Sequence, residues 1–132
     1  MATWLLKTEP ETYAFETLQS EGKTNWDGVR NALAQRHLKA IRPGDRCYIY
    51  HSGQVRAVVG VAEAAGEPVP DTSDPAGKHA MVPLVPVRAL SHPLPLADFK
   101  AAGWVNFDLV RLPRLSVMPV PADVEAWIEA PR

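Results

Sequence analysis

The stretch GDRCYIYHSGQVRAVVGVAEA (44–64) decides the architecture of this chain. Residues 46–52 alternate with period two: Cys47, Ile49 and His51 share one face, and Tyr48, Tyr50 and Ser52 share the other. Gly53-Gln54 marks a turn, and 55–64 reads as a second strand, so the segment predicts a hairpin. Gly60 inside the second strand predicts a bulge or a close backbone approach. Upstream, RNALAQRHLKAIR (30–42) is the best helix candidate, with Leu33, His37, Leu38 and Ile41 on one side and Arg36 and Lys39 off it. Asn31 can cap its start, and Pro43-Gly44-Asp45 stops it. TWLLKT (3–8) reads as a short strand closed by Glu9-Pro10, and 11–20 as a short helix ending near Gly22. Downstream, 66–79 reads as a long surface loop. Residues 80–90 read as a strand whose Pro83 and Pro86 predict an edge or bulged position. A short helix is expected over 95–102, a strand over 114–120, and a closing helix over 122–130 with Val124, Trp127 and Ile128 inward. Five or six short strands with a few helices predict an α+β fold built on a curled sheet or small barrel, in one domain over 1–132.

Composition narrows the function classes. Apolar residues make up 46% of the 132 and charged residues 22%, as in globular domains. No apolar run approaches the ~20 residues of a membrane helix, and the N-terminus has no signal-like h-region. With Cys47 the single cysteine, no disulfide can form within the chain, and a cytoplasmic location is expected. The net charge of −1 conceals a bias. Between Lys23 and Arg56 seven basic residues face two acids, a local excess that could form one basic face.

Several chemistries are excluded by spacing. His37, His51, His79 and His92 show no HxxxH or HxH pattern and there is no CxxC, so no metal site is expected. No GxGxxG, P-loop or GxSxG motif is present, so no nucleotide cofactor or nucleophile elbow is expected. His51 and Ser52 are consecutive strand residues that point to opposite faces, which argues against a base–nucleophile pair. Lys7-Thr8-Glu9 admits two readings. A lysine beside a threonine hydroxyl could activate it, or the strand simply becomes polar as it leaves the core. Trp26, in the polar stretch NWDGVRN (25–31), is either a core anchor or one wall of a pocket. A base-binding pocket needs an aromatic face and polar groups that read a base edge.

Five segments, WLLKTEP (4–10), WDGVRN (26–31), GDRCYIYHS (44–52), VVGVAE (58–63) and LVRLPRLSVMPV (109–120), together resemble the EVE domain family in order and spacing. The resemblance spans about residues 3–129. It implies a PUA-like fold, a small mixed β-barrel flanked by short helices, related to YTH and ASCH domains. It implies a pocket for a nucleobase, a modified one, in DNA or RNA, and no cofactor. Carried onto matching positions, the pocket candidates are Lys7 and Thr8, Trp26, Arg30 and Asn31, His51 and Ser52, and Arg114 and Ser116. In this scheme Trp26 stacks on the base. Thr8, Asn31 and Ser52 bond its edge. Lys7, Arg30 and Arg114 meet phosphates or carbonyl oxygens.

The chain departs from the family pattern at Gln35, where a basic residue is common, and at His79, where a tryptophan is usual. An ASCH-like alternative is an amidohydrolase acting on a modified nucleoside through Lys7, Thr8 and Glu63. On the pocket reading, Trp26→Ala is expected to abolish binding and leave the unfolding midpoint nearly unchanged, while a large loss of stability would make Trp26 core and count against the pocket.

Overall fold

A computed structural model describes residues 1–132. One mixed sheet dominates it. The expected hairpin is β3 (Arg46–His51) and β4 (Ala57–Ala64), paired antiparallel from Arg46↔Glu63 to His51↔Ala57. β1 (Thr3–Thr8) lies parallel to β3, from Thr3↔Arg46 to Thr8↔His51. β7 (Val117–Pro119) closes the other side of β1. Beyond β4 runs β6 (Ala80–Pro95), and β2 (Thr24–Trp26) pairs with its first half. The sheet order is β2-β6-β4-β3-β1-β7, with the two-residue β5 (Val69–Pro70) attached to β6. The sheet curls into a half-barrel with short helices against it, so the fold is α+β as expected.

Register explains two of the expectations. Ile49 pairs with Gly60 and Tyr50 with Val58, so Val59 is the extra residue of a bulge. Gly60 is required there: a Cβ would stand 2.5 Å from the Phe15 ring, which lies flat on the strand in its place. The two prolines of β6, by contrast, do not mark an edge. β6 sits between β2 and β4, and it tolerates proline through a register shift between Arg88 and Pro86 and through the short β2 opposite Pro83. It also runs five residues past 90, farther than its sequence suggests. The segment 24–26 is a strand, not the loop expected from its polarity, and it places Trp26 opposite Val82.

The helices are α1 (Phe15–Glu21), α2 (Ala32–Ala40), α3 (Leu96–Ala101), α4 (Asp108–Arg111) and α5 (Ala122–Glu129). None is long and apolar enough to cross a membrane. α1 ends at Gly22 with φ 79°, the left-handed stop that glycine adopts freely. α2 buries Ala34, Gln35 and Leu38, while the expected Leu33 and His37 are only half-buried. Helices on the sheet leave β3 no solvent face, and Cys47 through His51 are all buried. Burial pushes the Cys47 thiol up and keeps it inert.

α5 is bound to the sheet by charge. Glu125 accepts from Thr3 Oγ1 and pairs with Arg46 at 3.0 Å. Glu129 pairs with Arg46 at 3.5 Å and Arg88 at 2.6 Å, and accepts from the Tyr48 hydroxyl. Arg46 is thereby committed to α5. It is therefore not free to serve a basic face.

Candidate functional site

One end of the half-barrel holds a cavity of about 340 Å³, within the usual range for small-ligand sites. Its walls come from the end of β1 (Lys7, Thr8), the segment before α1 (Thr12, Tyr13), β2 and the loop after it (Thr24 to Arg30), and Ser116 ahead of β7. Five of the nine sequence candidates meet here: Lys7, Thr8, Trp26, Arg30 and Ser116.

Trp26 is a wall built on core. It is 7% exposed and belongs to the main apolar cluster, and Tyr13 meets it edge-on at 6.1 Å between ring centroids. The expectation of a tryptophan that can be removed without loss of stability is corrected by this burial. Trp104 Nε1 is the buried side-chain polar atom left without a partner. Trp26 Nε1 also makes no hydrogen bond to the protein but is not fully enclosed, and Trp26 lines the cavity.

Lys7 reaches the cavity from β1. Its Nζ donates to the Pro113 carbonyl at 2.9 Å and stands 5.5 Å from the Tyr50 ring centroid. No carboxylate pairs with it, and burial lowers its pKa from the usual lysine value. Thr8 Oγ1 donates to the Tyr13 carbonyl at 2.9 Å, so toward a ligand the hydroxyl can act only as an acceptor. Ser116 is placed by Lys7 N–H donating to its carbonyl at 2.9 Å.

The loop Asp27–Arg30 is held from behind by two buried side chains, Asp71, which no sequence signal above singled out, and Gln35, noted above only as a departure from the family pattern. Asp71 accepts from Gly28 N–H at 2.9 Å, Arg30 Nη1 at 3.0 Å, and the N–H and hydroxyl of Ser73. Burial would raise its pKa. The bonds from Ser73, Gly28 and Arg30 prevail and hold the carboxyl far below the usual carboxylate range. Gln35 donates to the carbonyls of Val29 and Ala80 and accepts from Ala80 N–H, which stitches the loop to β6. The Asp-x-Ser of 71–73 was the available signal for Asp71, because such a pair builds an Asx turn. Arg30 is committed to this scaffold, as its Nη2 also donates to Ser73 Oγ at 2.9 Å.

Four candidates lie outside the cavity. Asn31 caps α2, accepting from Ala34 N–H at 3.0 Å, and faces a neighbouring groove with Arg114. Ser52 donates its backbone N–H to the Thr8 carbonyl at 2.9 Å, and its side chain does not line the cavity. His51 is buried, and its Nε2 accepts from Phe15 N–H at 3.1 Å, fixing the start of α1. His79 is held by its own loop, its Nδ1 2.7 Å from Asp74 Oδ2.

The His51 bond carries a pH dependence. Burial lowers the His51 pKa from the usual 6.5, outweighing the opposing charges of Glu16 and Glu11. The unfolded chain therefore takes up the proton first. The His51 contribution to stability is complete above about pH 6.5 and declines as the pH falls below it. Thermal unfolding at pH 7.5 and 5.5 should show a larger drop for wild type than for His51→Gln, whose amide carries no charge. Equal drops would exclude His51 as the source.

The amidohydrolase set is not assembled. Lys7 pairs with Tyr50 on β3, whereas Glu63 pairs with Arg46, four residues away along that strand. That is roughly 13 Å along the sheet at ~3.3 Å per residue. Glu63 is exposed there, and the Thr8 proton already goes to a backbone carbonyl. No group of His, Cys, Asp and Glu is arranged to hold a metal ion.

Comparison with known proteins places this geometry. The family model described as EVE domain matches residues 2–130. Human thymocyte nuclear protein 1 is 31% identical over 152 aligned positions, covering 89% of this chain and 68% of that protein. Rpa0253 from Rhodopseudomonas palustris superposes with a TM-score of 0.90 at 36% identity, covering 97% of this chain and 90% of its own. A crystal structure of human THYN1 protein in complex with 5-methylcytosine containing DNA superposes with a TM-score of 0.92 at 26% identity over 100% of both chains.

Proposed function

Because the chain belongs to the EVE domain family, we propose that it binds DNA carrying a modified base and seats that base in the cavity between Lys7, Trp26 and Ser116. The observation that carries this reading is the cavity itself: a 340 Å³ recess lined by Trp26, Lys7 and the hydroxyl-bearing Thr8, Thr12, Tyr13, Thr24 and Ser116. Two aromatic rings, Trp26 and Tyr13, back it. The relative solved with 5-methylcytosine DNA supplies the first ligand to try. No covalent step is involved. A base in a duplex would have to be flipped out, at a cost of a few kcal/mol, so an unpaired base should bind best.

The cavity also suggests how the base is chosen. Asp27 lines it without a hydrogen bond or ion pair of its own. A carboxylate in a site for a polyanion is repulsive unless it accepts from the ligand, because an ionised carboxylate can only accept. Cytosine offers its 4-amino group for such a bond, whereas thymine presents a carbonyl oxygen at that position. 5-Methylcytosine and thymine share the 5-methyl group and differ at that edge.

Fluorescence anisotropy on single strands with one central 5-methylcytosine, thymine or abasic site tests the reading. Binding to 5-methylcytosine should be at least about tenfold tighter than to thymine, consistent with the ~1–3 kcal/mol of a good base-edge contact. Asp27→Asn should narrow that ratio. Equal binding of the abasic strand would refute a base-seating cavity. The same strands made as RNA measure the preference for sugar.

A further inference from the structure

Beside the base cavity lies a groove of about 360 Å³ between Asn31 and Leu33 on one side and Leu112–Leu115 on the other. We propose that this groove is a second nucleotide subsite, which takes the base next in the strand to the seated one, with the linking phosphate on Arg114. The proposal rests on the base-cavity reading above.

Three observations carry it. First, the two recesses are contiguous. Arg30 lines one and Asn31 the other; Ser116 lines one and Leu115 the other. Lys7 from the base cavity also donates to the carbonyl of Pro113 in the groove wall. A strand that seats one base and leaves on this side passes over the groove. Second, the groove is apolar where a ring would lie, with Leu33, Leu112, Pro113 and Leu115. A base drawn out of its stack packs against aromatic or apolar side chains, and these aliphatic ones offer no donor or acceptor to a base edge. Third, the charge is complementary. Arg114 is exposed and makes no hydrogen bond or ion pair, while Arg30 and Arg46 nearby in the sequence reading are both engaged with acids. A free guanidinium at the rim is suited to a phosphodiester. Asn31 and Arg114, assigned to the base cavity on sequence, thus acquire a common place.

The test is binding of short ligands, followed by protein NMR: 5-methyldeoxycytidine, its dinucleotides with a flanking base on the 5′ or the 3′ side, and the matching dinucleotides with an abasic flank. On one side, the flanking base should tighten binding by about tenfold over the abasic dinucleotide, the lower part of the range for a stacked base. Resonances of Leu33, Leu112 and Leu115 should shift with that ligand only. Leu112→Ser and the fully exposed Arg114→Ala should each reduce the dinucleotide advantage, and Arg114→Ala guards against a misfolded Leu112 variant. If the nucleoside binds and neither flank adds affinity, the second subsite is wrong and the base cavity stands. If no ligand binds, the base-cavity reading fails and takes this one with it. Self-association abolished by Arg114→Glu, with no gain from a flanking base, would assign the groove to a second copy and overturn the proposal.

Discussion

Trp26→Ala is expected to lower stability by about 3–5 kcal/mol, the usual cost of emptying a buried tryptophan site, and to abolish ligand binding in the same protein. The indole is 7% exposed, sits in the main apolar cluster and braces Tyr13. Removing it leaves a void behind the cavity as well as a missing wall. Binding loss in the alanine variant therefore says little by itself. Trp26→Phe separates the two roles: it keeps most of the apolar volume and deletes the unpartnered Nε1–H. Chemical denaturation should place Trp26→Phe well above Trp26→Ala in stability, while its affinity for a 5-methylcytosine strand still falls. Full affinity in Trp26→Phe would remove the indole N–H from the account of recognition.

The second large effect is expected at a residue that touches no ligand. Asp71→Ala should cost about 3 kcal/mol, because it strands a Gly28 N–H and the Ser73 groups and leaves Arg30 without its partner. The loop Asp27–Arg30 then loses its hold, so binding should fall together with stability. Asp71→Asn keeps the shape and part of the bonding, and should lose less of both. Denaturant titration and strand binding on the two variants check this. An Asp71→Ala protein with wild-type affinity and stability would mean that Gln35 alone holds the loop.

Much of the sheet was legible because its strands are written in apolar alternation. TWLLKT, RCYIYHS and the run before Ala64 all became strands, and Gly60 did mark a bulge and a close approach. What failed to show was structure made by long-range pairing. TNW is polar and short, and it is a strand only because β6 lies beside it. Pro83 and Pro86 pointed to an edge or a bulge; the bulge is there at Pro86, but local chemistry does not reveal that β6 is an inner strand with the three-residue β2 opposite Pro83. The site divides in the same way. Lys7, Thr8, Trp26, Arg30 and Ser116 share a cavity. His51 and Asn31 spend their bonds on the starts of helices, and Ser52 spends its N–H on Thr8. Asp71 escaped notice because an acid in a Gly/Pro-rich loop reads as solvated, and Gln35 showed only as a departure from the family pattern, its buried bonds to Val29 and Ala80 being set by long-range packing.

The position of β1 bears on when the site comes into being. Both neighbours of β1 are distant in the chain: β3 is about forty residues away and β7 more than a hundred. Such non-local pairing is slow relative to helix or hairpin formation. During synthesis, β3 and β4 can pair as soon as they emerge, but one edge of β1 stays open until Val117–Pro119 is free. Lys7 and Ser116, joined by a backbone bond at the cavity, are brought together in that last step. The cavity is thus completed only once Ser116 and β7 have been made, and a nascent chain arrested before residue 116 presents β1 with one open edge in place of a binding site.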